Sequence, residues 1–163
     1  MMTKVTNTLN KIIEITMIIL IAAMVFGNFW QIFTRFILGN AASWTEEFLR
    51  YALIWLTMLG VPYAYGKNQH IAIEFVVNTF SAKGKQIDQV FIECVVGFIS
   101  VFVMIIGGIM VTGNAAGQVS PALGMPMQYY YIGIPICGAL MLVYLLPRLL
   151  DDIKALRSGK ETD

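Results

Sequence analysis

The dominant pattern along this chain is the length of its apolar runs and the rarity of interruptions. From Cys94 to Pro147 there is no Asp, Glu, Lys or Arg. A bilayer-spanning helix needs about 20 apolar residues to cross a core of about 30 Å at about 1.5 Å per residue. Four such segments are predicted: Ile12 to Thr34, Trp44 to Gly66, Ile87 to Thr112 and Gln128 to Leu146. The runs are continuous rather than alternating, and lipid offers the backbone no hydrogen-bond partner, so helices are predicted and a membrane barrel is excluded. The fold class is therefore an all-α integral membrane protein, a single membrane domain over residues 1–163.

Local signals refine the spans. Ser43 followed by Glu46 predicts a capping box opening the second helix, with Glu46 and Glu47 in its first turn, where the macrodipole favours carboxylates. Gly113, Gly117, Pro121, Gly124 and Pro126 break the apolar run before the fourth span. Tyr129, Tyr130 and Tyr131 are placed at a membrane interface where the last helix enters, and Pro135 is expected to kink its first turns. Between spans two and three, Ile73, Val76, Val77 and Phe80 recur at helical spacing, with Lys83 and Lys85 following. This predicts a short interfacial amphipathic helix over about 69–82. Lys67, His70, Lys83 and Lys85 would then meet phospholipid headgroups, or simply flank an ordinary connector.

Composition agrees with a lipid solvent: 58% of the residues are hydrophobic, 13% are charged, and the mean hydropathy is +0.71. Charge placement sets orientation. Of 11 Lys and Arg, only Arg35 and Arg50 fall on the side opposite both termini. The excess of positive charge on cytoplasmic flanks then predicts cytoplasmic N- and C-termini, with the 35–44 connection and the 113–127 loop facing outward. The small residues Gly39 to Ala42 could follow a signal peptide, but the preceding apolar stretch exceeds a signal sequence's core and Arg35 interrupts the approach. Cys94 and Cys137 have no paired spacing and read as small core residues.

Chemistry is sparse. His70 is the only histidine, which excludes a haem held by two imidazoles of this chain and a His-rich metal site. CxxC, GxSxG, HExxH and phosphate-loop motifs are absent, so neither an enzyme nor a cofactor or nucleic-acid binder is expected. Charges at the bilayer edge are costly unless paired or solvated. Asn28, Gln31 and Arg35 on the first span, with Trp44, Glu46, Glu47 and Arg50 opening the second, are predicted to gather at the outward rim. That rim either fixes helix packing or docks a partner. Glu14 and Glu93 lie near the cytoplasmic ends of their helices, poorly placed for a midplane proton relay. Ala23, Gly27, Gly60, Ala64, Gly107, Gly108, Gly133, Gly138 and Ala139 permit close helix approach.

The string Arg35-Phe36, Ser43-Trp44-Thr45-Glu46-Glu47, Arg50-Tyr51, Gly60 and His70-Ile71, together with Ser120 to Pro126, Tyr130 and Pro135, resembles the small membrane subunit of tripartite ATP-independent periplasmic (TRAP) transporters. The resemblance spans nearly the whole chain. It implies a stator in the bacterial inner membrane, beside a larger, separate membrane subunit that holds the sodium and substrate sites and moves by an elevator motion. It further implies a periplasmic binding protein that delivers an organic anion, such as a sialic acid or a C4-dicarboxylate. Two other readings stay open: an autonomous four-helix proton antiporter acting through Glu14, and an anchor subunit of a respiratory complex.

Overall fold

The computed structural model describes residues 2–40, 42–67 and 82–158. It is helical throughout apart from turns and a single isolated bridge, Val119 to Pro126. Helix α1 runs from Met2 to Phe36, α2 from Ser43 to Gly66 and α3 from Ala82 to Phe98. The last continues through a π-helical stretch, Ile99–Gly107, into α4, Gly108–Asn114. A turn of helix, α5 (Gln128–Tyr131), precedes α6 (Gly133–Ser158). Three helical stretches, Thr6–Phe36, Val90–Asn114 and Gln128–Leu150, are long and apolar enough to cross a membrane. Helix α2, with 24 residues, matches them in length and packs among them. The protein is an all-α, multi-pass membrane protein.

The helices form a row rather than a closed bundle. α1 lies against α2, α2 against α6, and α6 against the α3–π–α4 helix. Burial follows: only 6% of the most apolar window of α1 is buried, against 33% for the last helix. Among the described residues the core is the small cluster Tyr65, Cys137, Met141, Tyr144 and Leu145, where α2, α6 and the third helix meet and Leu9 of α1 packs against them. Cys94, expected in the core, is instead exposed on the face of α3, because the α6 side of that helix is taken by Glu93, Val96 and Gly97.

Glycine sets the approach of the third helix to α6. A Cβ at Gly138 would lie 2.8 Å from Met104 Cβ and 2.9 Å from the Ser100 carbonyl oxygen. One at Gly108 would lie 2.7 Å from Pro135 Cδ. Both crossings flank or enter the π-helical stretch, whose looser winding was not foreseen from the apolar pattern. Four hydroxyls within the helices are satisfied locally: Thr16, Thr57, Ser100 and Thr112 each donate to the carbonyl four residues back, at 2.9, 2.8, 2.7 and 2.7 Å.

The capping box expected at α2 does not form. Ser43 is already helical, Ala42 is the N-cap, and no side chain caps the first turn. Thr45 and Thr34, both buried, hold the entry instead: Thr45 Oγ1 donates to the Ala42 carbonyl, and the Ala42 N–H reaches Thr34 Oγ1 on α1 at 3.4 Å. Gly39, at φ +67°, turns the chain between the helices. Pro135 sits in the first turn of α6, after an interruption at Ile132 that separates it from α5.

Candidate functional site

The rim at the start of α2 is where the charged side chains act, and its partners are not those the linear order suggests. Glu46 and Arg50 pair along α2 at 3.3 Å, with side chains 67% and 64% exposed. Glu47, one residue on, points to the connection between the last two spans. Its Oε2 accepts the N–H of Ala122 at 2.8 Å and of Leu123 at 2.9 Å, and its Oε1 accepts the Tyr51 hydroxyl at 3.0 Å.

The loop that Glu47 holds is a compact hairpin. Ser120 N–H donates to Met125 O at 2.9 Å, Gly124 N–H to Ser120 O at 3.0 Å, and Met127 N–H to Gln118 O at 2.9 Å. Gly124 takes φ +66°, a left-handed conformation that glycine adopts without steric cost. The buried Ser120 hydroxyl also accepts the Leu123 N–H at 3.3 Å. In this turn the successive N–H groups of Ala122 and Leu123 face the same carboxylate oxygen, the arrangement of a small anion nest. Tyr130 packs edge-on against Tyr51 at 4.5 Å between ring centroids, and Trp55 Nε1 donates to Tyr129 O at 3.1 Å. The tyrosines expected at an interface thus also join α5 to α2, with Tyr129 left 60% exposed.

Asn28 and Arg35 are exposed on α1, Gln31 is half-buried, and Trp44 is exposed. Among the described residues the ion pair runs within α2, not between Arg35 and α2. Lys67 is the C-cap of α2 and lies over the Tyr63 ring at 5.3 Å. Lys83 and Lys85 fall in the first turn of α3, while His70 and residues 69–81 of the expected interfacial helix lie outside the described residues.

At the other end of the helices from the rim, where α2 finishes, sits a second polar knot that sequence reasoning missed. The Tyr144 hydroxyl donates to Asn10 Oδ1, and Arg148 donates to the Gly66 carbonyl at 2.9 Å while lying over the Tyr65 ring at 5.0 Å. A Cβ at Gly66 would meet the Tyr144 ring at 2.8 Å. A cation there complements the negative end of α2. The available signal was a polar residue, Asn10, and a tyrosine, Tyr144, set apart from the other three at the far end of its span.

The rim, the loop and, apart from Asn10, the knot fall within residues 24–155, over which the chain matches the family model for the DctQ component of tripartite ATP-independent periplasmic transporters. The chain belongs to that family. This DctQ-family chain is 30% identical over 153 residues to a small permease protein assigned to a TRAP transporter in Haemophilus influenzae, covering 94% of each. It is 25% identical over 112 residues to a sialic acid TRAP transporter permease protein of Haemophilus influenzae, covering 69% of this chain and 18% of that much longer one. It is 26% identical over 103 residues to an ectoine TRAP transporter small permease protein of Halomonas elongata, covering 63% of this chain and 53% of the relative. The chain is a small permease subunit of a TRAP transporter.

Proposed function

We propose that this subunit is a stator: a fixed frame in the inner membrane against which a larger membrane subunit moves an organic anion inward, driven by sodium and supplied by a soluble periplasmic binding protein. The observation that carries the reading is the open row of helices, in which α1 buries almost none of its apolar length within the chain. The match to 18% of a longer permease supports a larger membrane partner. The hydroxyls of Thr16, Thr57, Ser100 and Thr112 bond to their own helix backbone, which suits a frame better than a substrate path. Glu14 is exposed on α1, so it faces away from the other helices rather than into a path between them.

Positive charge on the terminal flanks supports cytoplasmic N- and C-termini, which turns the α2 rim and the 115–127 loop toward the binding protein. Lys67 then faces the cytoplasmic headgroups. Cargo recognition belongs to the other chains. Among relatives the named solutes are sialic acid, isethionate and ectoine; a sialic acid or another carboxylate is the substrate we favour here. The test is copurification with the large subunit, followed by sodium-dependent uptake in proteoliposomes with and without this chain. Uptake only when both are present supports the stator; solute transport by this chain alone overturns it.

A further inference from the structure

We infer that Glu47 is a positioning residue: its carboxylate sets the shape of the Ser120–Gly124 turn, and this turn, rather than the charged start of α2 alone, is the surface on which the binding protein docks. The inference rests on the stator reading and deepens it.

Three observations carry it. First, Glu47 joins residues 75 and 76 positions away, at 2.8 and 2.9 Å, through two N–H groups that make no backbone bond in the hairpin, the Leu123 one being shared at 3.3 Å with Ser120 Oγ. Second, the Ser120–Gly124 turn does not fill the space against α2, although Tyr129 and Tyr130 after it reach Trp55 and Tyr51. A cleft of about 240 Å³ lies between the turn and α2, lined by Phe48, Ala52, Trp55, Leu123, Met125 and Pro126. Charge-assisted hydrogen bonds to one carboxylate are then the short tie across that gap. Third, the groups around the tie are left open. Val119 is 59% exposed and Met125 44%, while Pro121 and Ala122 are exposed at the tip and Arg50 is exposed beside it. These small apolar groups, beside one exposed ion pair, suit a protein surface with matching apolar and charged positions. Glu47 is spent inward, so it acts through the loop.

The test uses the assembled transporter in proteoliposomes, with sodium-dependent uptake measured as the binding protein is titrated. Glu47→Gln keeps the side-chain length and removes the charge. It is expected to raise the half-saturating concentration of binding protein by about five- to tenfold, with a smaller change in maximal rate, the size associated with losing charge-assisted bonds. Gly124→Ala disturbs the same turn from its left-handed position and is expected to raise half-saturation likewise; the double variant should be no worse than the more severe single one. Hydrogen exchange at the Ala122 and Leu123 amides should quicken in Glu47→Gln.

Unchanged exchange would overturn the tie itself. Faster exchange with unaltered half-saturation would overturn the docking role, as would a loss confined to maximal rate or strictly additive variants. If wild-type uptake needs no binding protein, the stator reading fails and this inference fails with it.

Discussion

Replacing Gly138 by Ala probes one of the two close crossings between the third helix and α6. The added carbon would lie 2.8 Å from Met104 Cβ, 2.9 Å from Ile105 Cγ1 and 2.9 Å from the Ser100 carbonyl oxygen. Relaxed carbon contacts sit at about 3.5–4.0 Å, so the overlap approaches 1 Å against atoms that cannot swing aside. Two of the three neighbours are a Cβ and a backbone oxygen, fixed unless the whole π-helical stretch shifts. Overpacking of this kind costs about 1–3 kcal/mol, while Gly to Ala within a helix returns about 0.5–1 kcal/mol.

The expected net loss is about 1–2 kcal/mol, a fall in Tm of about 3–6 °C for a chain of this size. Thermal melting of the detergent-solubilised protein, followed by tryptophan fluorescence, reads it. Gly113→Ala is the matched control, because nothing lies within 4 Å of its added carbon. It should melt at or slightly above the wild type. A Gly138→Ala protein as stable as the wild type, or two variants shifted equally, would refute the close-crossing argument.

Three further outcomes follow from the same structure. Tyr144→Phe should lower stability by about 1 kcal/mol through loss of the bond to Asn10, and Asn10→Ala should add little to it in the double variant, read by the same melting assay. Arg50→Ala should leave the melting temperature within error, since its pair with Glu46 is solvent-exposed, yet weaken binding-protein dependence in the uptake assay. Glu14→Gln should leave sodium-dependent uptake unchanged, because that carboxylate lies on the outer face of α1; abolished uptake would restore the proton-antiporter reading.

Much of the candidate site was legible, but only residue by residue. Glu46 and Arg50 could be paired from their spacing, since side chains four apart share a helix face. Arg35 and Glu47 were drawn together by proximity in sequence, and there the reasoning ran out. Glu47 had a stronger option than a neighbouring cation: two backbone N–H groups presented together by a turn closed with Gly124. The capping box at Ser43 failed similarly, because Thr34 on α1 satisfied the Ala42 N–H that starts α2. Local motifs describe what a segment can do alone. Contacts between segments decide which of those options is taken.

What the sequence alone determined is the solvent and the element type: a stretch without a single charge from Cys94 to Pro147 can shed water only into lipid, and in lipid an unbroken apolar segment must satisfy its own backbone as a helix. Only the tertiary structure decided the order of the helices in their row, the depth of the Gly138 crossing and the partner of Glu47. Those depend on which surfaces meet, and helices whose faces are all apolar do not encode their neighbours in hydropathy; shape and a few distant hydrogen bonds choose among them.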